Sequence, residues 1–214
     1  MRAFFGISGE APHPMTLPSL ASRKKSIRAL LRAKRRAITP AARRLAARQL
    51  AVRACRIAAV RRARRIGLYL PMADELDVLP LINRLLAQGK QVFLPRVPAR
   101  GKRRLWFAAL EANQPFTVNR FGIAEPVSAC PVRAHRLDVL FMPLLGFDAG
   151  GNRIGMGGGF YDATLAAVRP SQRPLCIGVA YACQQVDEAP VEAWDQPLAA
   201  VLTESFLLSL NRLR

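Results

Sequence analysis

Val139-Leu140-Phe141-Met142-Pro143-Leu144-Leu145-Gly146-Phe147-Asp148-Ala149-Gly150-Gly151-Asn152-Arg153-Ile154-Gly155-Met156-Gly157-Gly158-Gly159-Phe160-Tyr161-Asp162 is the stretch on which the reading of this chain turns. Its first four residues are apolar without alternation, the pattern of a strand buried on both faces. A glycine-rich loop follows, and then a helix from about Tyr161 to Val168. The same grammar recurs on either side. Upstream, Ile66-Gly67-Leu68-Tyr69-Leu70 reads as a short buried strand ended by Pro71. Val78 to Gln88 carries Leu81, Ile82, Leu85 and Leu86 at helical spacing, with Gly89 placed as its stop. Val92-Phe93-Leu94 is the next strand, ended by Pro95, and Leu105-Trp106-Phe107 another after a basic loop. Downstream, Cys176-Ile177-Gly178-Val179-Ala180 and Ala200-Val201-Leu202-Thr203 complete the set. Alternating strands and helices with continuous apolar strands predict an α/β fold: three layers, a mostly parallel twisted sheet with helices on both faces.

Two basic helices precede this unit. Ser22 is placed to cap the first, with Ile27, Leu30 and Leu31 at helical spacing through about Ala37. Thr39-Pro40 is a second start signal, a cap followed by proline at the first helical position. The helix it opens carries Leu45, Leu50, Val52 and Ile57 among arginines. Residues 1–21 show no periodicity and are expected to be a disordered extension, leaving 22–214 as a single α/β domain.

The formal charge of the 214 residues is +19, and its distribution is uneven. Residues 1–66 hold 18 basic side chains against Glu10 alone, whereas residues 67–214 hold 15 basic and 13 acidic. A phosphate-bearing partner is implied, on a nucleotide, a membrane or a nucleic acid. The longest apolar run, Val139 to Phe147, is interrupted by Pro143 and Gly146 and falls far short of the ~20 residues a spanning helix needs. Ala3-Phe4-Phe5-Gly6-Ile7 is too short and too soon interrupted for a signal-peptide core, and the Arg-rich, acid-poor start leaves an organelle transit peptide as the lesser reading. Cys55, Cys130, Cys176 and Cys183 are widely spaced without a C-x-x-C, so they read as free thiols in a reducing cytoplasm.

Glycines let a backbone approach a ligand and turn successive N–H groups into one concavity, and a helix start adds partial positive charge. Arg153 at the entry can meet anionic oxygens, and Asp162 at the exit is a hard oxygen ligand suited to Mg²⁺. The spacing is neither a P-loop nor a dinucleotide fingerprint. Taken alone, the five glycines from Gly151 to Gly159 also fit a mobile surface loop.

The run Arg153 to Asp162, after Met142-Pro143-Leu144-Leu145-Gly146-Phe147-Asp148, resembles the signature of the 5-formyltetrahydrofolate cyclo-ligase (5,10-methenyltetrahydrofolate synthetase) family. Lys24-Lys25-Ser26-Ile27-Arg28, Tyr69 to Asp77 with Gly89 to Arg96, and Val191 to Asp195 through Thr203 are similar to the family's other segments, in order. The resemblance implies an ATP-dependent ligase that closes 5-formyltetrahydrofolate to 5,10-methenyltetrahydrofolate through a phosphorylated formyl group, releasing ADP and phosphate. It implies ATP binding by Lys24, Lys25, Arg28, Arg153, Gly155, Gly157, Gly158, Gly159 and Tyr161, with Arg153 and Tyr161 catalytic. Leu70, Glu75, Met156, Gly157, Gly158, Gly159 and Phe160 would contact the folate, and Asp162 and Asp195 would hold Mg²⁺. Met156, Phe160 and Trp194 depart from residues common in the family and touch specificity more than the phosphate chemistry. A cytoplasmic monomer with 5-formyltetrahydrofolate and ATP as partners, away from membranes, is the expectation. The rival from another class is a nucleic-acid-binding protein using the basic N-terminal third. Its weakness is that no aromatic residue lies among those cations between Phe5 and Tyr69.

Overall fold

The computed structural model describes residues 19–128 and 130–210. Helix α1 (Leu20–Arg36) begins ahead of the expected point, because Ser19 is its cap: the Ser19 hydroxyl accepts from the Ser22 N–H at 3.3 Å. Ser22, expected as the cap, is the residue being capped. The expected extension overlaps this helix at Leu20 and Ala21, and its first 18 residues lie outside the described part. Helix α2 (Pro40–Arg56) starts as its sequence says, Thr39 Oγ1 accepting from Ala42 N with Pro40 in the first turn. Ile57 then takes an extended conformation that turns its side chain into the core, and α3 (Ala58–Arg62) restarts the helix.

The sheet elements follow: β1 (Arg65–Gly67), α4 (Leu79–Ala87), β2 (Gln91–Arg96), β3 (Trp106–Ala109), β4 (Phe116–Val118), β5 (Ala124–Pro126), β6 (Val139–Pro143), β7 (Gly146–Phe147), β8 (Arg153–Ile154), α5 (Phe160–Ala166), β9 (Leu175–Val179), β10 (Ala200–Leu202) and β11 (Leu207–Ser209). Seven strands form one sheet in the order β11-β10-β9-β6-β1-β2-β3. The five central strands are parallel, and β3 and β11 close the edges antiparallel. The expected mostly parallel sheet is therefore present. Strand β2 runs through Pro95 instead of ending before it. Phe107, opposite Pro95, gives both its backbone groups to Val132, and β1 has already ended at the level of Phe93, so proline's missing N–H is not needed.

Alternate residues of each strand feed opposite faces. Val92, Leu94, Val139, Phe141, Ile177, Val179, Ala200 and Leu202 pack with the apolar sides of α2, α3 and α4. Phe93, Leu140, Met142, Cys176 and Val201 pack on the other face with Leu165 and Val168, at and just beyond the end of α5. Helix α1 covers neither face. Its Leu31 packs with Leu145, Ile154 and Ala189, in or beside loops at the carboxyl ends of the strands.

Counting only the parallel strands, their spatial order is second, first, third, fourth, fifth, the doubly wound order whose direction reverses between β1 and β6. Only two residue pairs join these strands, Ile66↔Val139 and Gly67↔Leu140. A Cβ at Gly67 would lie 2.7 and 2.8 Å from the side chains of Leu140 and Leu137, so glycine there permits the close approach. In doubly wound sheets the loops leaving the strands on either side of this reversal bound the ligand crevice, here the loops after β1 and β6. Among the described residues no helix is long and apolar enough to cross a membrane.

Candidate active site

The loop after β6 is built by its own hydrogen bonds. Strands β7 and β8 pair antiparallel, and their connection is pinned by the buried Asp148 carboxylate. It accepts from Asn152 N at 3.0 Å, Asn152 Nδ2 at 2.9 Å and Ala189 N at 3.1 Å. Gln184, also buried, donates to the carbonyls of Leu144 and Leu145. Asp148 and Asn152 thus hold the loop, and the ligand-facing part begins at Arg153. Arg153 is 7 % exposed, and its guanidinium pairs with Asp162 in the first turn of α5 and leaves Nε buried without a partner. Past it, Gly157 has φ +105° and Gly159 φ +64°, backbone that side chains rarely adopt. Among the described residues, nothing accepts from the N–H groups of Met156, Gly157, Gly158 or Gly159. An exposed run of unengaged amides beside a buried guanidinium is an anion cradle.

Helix α1 turns a stripe of five residues toward these loops: Lys24, Ile27, Arg28, Leu31 and Arg35. Spacings of three and four put them on one face. Arg28 Nε donates to the Gly155 carbonyl at 2.9 Å, so this expected ATP ligand also fixes the glycine loop. Lys24 Nζ lies 2.6 Å from Glu192 and 3.0 Å from Asp195. Burial alone would lower its pKa, but hydrogen bonds to the two carboxylates outweigh that and raise it. Lys25 is exposed, about 100° round the helix from Lys24, and the structure does not bring it to the crevice.

On the other side, the chain leaving β1 makes a turn in which Glu75 N donates to Met72 O at 2.9 Å and Glu75 Oε2 accepts from Met72 N at 3.0 Å. Glu75 is 7 % exposed; burial raises its carboxyl above the usual range, against the Met72 hydrogen bond and the nearby Arg35 charge. Leu70 is half-buried against the core. Tyr161 follows Phe160 in the first turn of α5; burial raises its phenol, Glu75 adds to that rise, and Arg153 opposes it. Phe160 is packed edge-on against Phe121 with ring centroids 5.7 Å apart, and Arg120 lies over both rings. Phe121 and Met156 are exposed at this lip.

Asp162 and Asp195 are neighbours in space as well as in chemistry. Asp162 Oδ1 accepts from Gln196 N at 3.0 Å, the residue after Asp195. In this arrangement Asp162 faces Arg153, and Asp195 faces Lys24 and Glu192 N. No group of three or more acidic, His or Cys side chains is arranged for a metal among the described residues. Mg²⁺ in phosphate sites commonly takes one or two carboxylates, with phosphate and water completing its shell, and this donor pair suits that role. The sequence reading missed Glu192, Arg35, Asp74, Arg120 and Phe121. Glu192 was findable as an acid three residues before Asp195. Phe121 and Arg120 come from the tip of the β4–β5 hairpin, whose first strand is exposed throughout and carries no core pattern.

The glycine loop with Arg153, the two α1 cations and the Glu75 turn can now be set beside known proteins. The family model for 5-formyltetrahydrofolate cyclo-ligases matches residues 21–204. The chain belongs to that family. It is 38% identical over 180 residues to the 5-formyltetrahydrofolate cyclo-ligase of Escherichia coli K12, covering 82% of this chain and 97% of the relative. Over 146 residues it is 41% identical to the Haemophilus influenzae cyclo-ligase, covering 66% and 76%. The NMR structure of Aquifex aeolicus 5,10-methenyltetrahydrofolate synthetase superposes with a TM-score of 0.76 at 29% identity, covering 89% of this chain and 94% of that one. The cyclo-ligase match takes in both basic helices, all but Leu20 of α1.

Proposed function

We propose that this chain catalyses the ATP-dependent closure of 5-formyltetrahydrofolate to 5,10-methenyltetrahydrofolate, releasing ADP and phosphate. The observation that carries the reading is the meeting of two unlike loops on the inward face of α1: unengaged glycine amides beside buried Arg153, joined to Arg28 through Gly155, and the turn of buried Glu75, joined to Arg35 through Asp74. The first half suits phosphate and the second suits the N–H groups of a pterin. In the reaction the formyl oxygen attacks the γ-phosphorus and ADP leaves. N10 then adds to the formyl carbon and gives up its proton, and phosphate departs with the former formyl oxygen.

Phosphoryl transfer asks the protein for position and charge neutralisation more than for a nucleophile. Arg153, Arg28 and the amides of Gly155 to Gly159 would hold the phosphates. Lys24 joins them when its two carboxylates turn away. Glu75 would accept from the pterin, and Leu70, Met156 and Phe160 would bound it with the Phe121 ring. Asp162 and Asp195 would hold Mg²⁺, which neutralises phosphate charge when bound. The partners under this reading are 5-formyltetrahydrofolate and ATP, and the protein works as a cytoplasmic monomer.

The test is purified protein with 5-formyltetrahydrofolate, ATP and Mg²⁺, followed at the methenyl absorbance. Product formation that stops on chelation of the metal is expected. Folded protein that binds ATP and makes no product would overturn the reading.

A further inference from the structure

Arg35 ends the inward stripe of α1 and is 1 % exposed. Its Nη2 lies 2.7 Å from Asp74 Oδ2, while its Nε is buried with no partner. A buried guanidinium left partly unsatisfied is a poor stabiliser, and a buried ion pair is often no better for stability than a packed apolar pair. Something other than stability is therefore the better account of this charge. Asp74 belongs to the turn that presents Glu75, and Ala73, Asp74 and Glu75 of that turn are each tied down from elsewhere. Arg43 donates to Ala73 O at 3.3 Å and also grips the Arg35 carbonyl. Tyr181 donates to Glu75 O at 3.4 Å, and Tyr69 to Leu76 O at 3.1 Å. Of these ties, Arg35–Asp74 is the one between opposite charges.

We propose that Arg35 is a positioning residue for folate recognition: its ion pair with Asp74 fixes the Met72–Glu75 turn so that Glu75 is held at the pterin position. This rests on the cyclo-ligase reading. Arg35 touches no reacting atom and acts through Asp74.

The test is steady-state turnover in which the folate KM and the ATP KM are measured separately. Arg35→Met should raise the folate KM about tenfold or more and leave the ATP KM within about twofold. Asp74→Asn should reproduce this split, Arg35→Lys should restore much of the loss, and the double variant should be no worse than the poorer single one. Both KM values rising together, or neither moving in a folded variant, would overturn the role. Should Arg35→Met fail to fold, Asp74→Asn carries the test, its side chain being 24% exposed. Should the wild type turn nothing over, the cyclo-ligase reading falls. The positioning role is then decided by calorimetric binding of 5-formyltetrahydrofolate to the same variants, and equal affinity in all of them ends it.

Discussion

Glu75 carries a cost that its function explains. Its carboxyl is raised from an ordinary 4.5 chiefly by burial, so the folded protein holds its proton more tightly than the unfolded chain. Below that ordinary value both states are protonated and the group is neutral in its effect. As pH rises through the raised value the folded state must bury a charge, and stability falls. Glu75→Gln should therefore melt higher than wild type at pH 8, with the gap closing as pH drops below 4.5. The same variant should lose most of its turnover. Asp162→Asn is the companion at the phosphate side, expected to lower turnover about a hundredfold or more while leaving the circular dichroism unchanged. Cys176 sets a contrast: burial pushes its thiol up to about 12, and alkylating reagents at neutral pH should leave it unmodified. At this scale the sequence was most informative where residue type alone names a chemistry. The glycines, Arg153 and Asp162 were legible that way, whereas Glu75 entered only through the family resemblance. Arg35 was not legible, because one arginine among many on a basic helix carries no mark of the partner it meets 39 positions later.

Helix α1 and the glycine loop form one mechanical unit. Arg28 bonds to Gly155, the Cβ position of Gly157 lies 3.9 Å from the Arg28 guanidinium, and Leu31 fills the space a Cβ at Gly146 would claim. Gly157→Ala should cost about 1 kcal/mol or more in stability from the strained backbone, and lose far more in ATP affinity. Leu31→Ala should cost about 2–5 kcal/mol, a drop visible in chemical denaturation, since Leu31 is fully buried between two loops. Strong elements were readable in advance: Thr39-Pro40 opened α2, and Gly89 with φ +72° ended α4. The short ones were not. Strands β7 and β8 have two residues each and are held by the Asp148 carboxylate, a bond that no periodicity announces. Strand β4 is exposed throughout and belongs to a hairpin made for its tip.

For the whole molecule, the +19 charge first suggests a nucleic-acid surface. Three of its cations, Lys24, Arg28 and Arg35, turn inward on α1 and are each committed to a partner in the site. Arg44 and Arg48 of α2 stand exposed on the outside. Replacing both by Gln should leave cyclo-ligase turnover at wild-type level. Binding of duplex DNA that falls steeply with salt and is lost in that variant would instead revive the nucleic-acid reading.

The seam between β1 and β6 has a mechanical meaning of its own. Each half of the sheet is joined internally by longer ladders, five residue pairs between β6 and β9 and four between β2 and β3, against two across the seam. One half carries Glu75 and the other the glycine loop, so a fissure along this line would part the substrates before any strand was lost. In a urea titration, turnover should fail at a lower concentration than the far-ultraviolet signal, and the Asp138 amide, which donates to Arg65 O across the seam, should exchange with solvent ahead of those in β9. The candidate site lies over the shortest ladder of the sheet, with α1 as the strap that holds its two sides together.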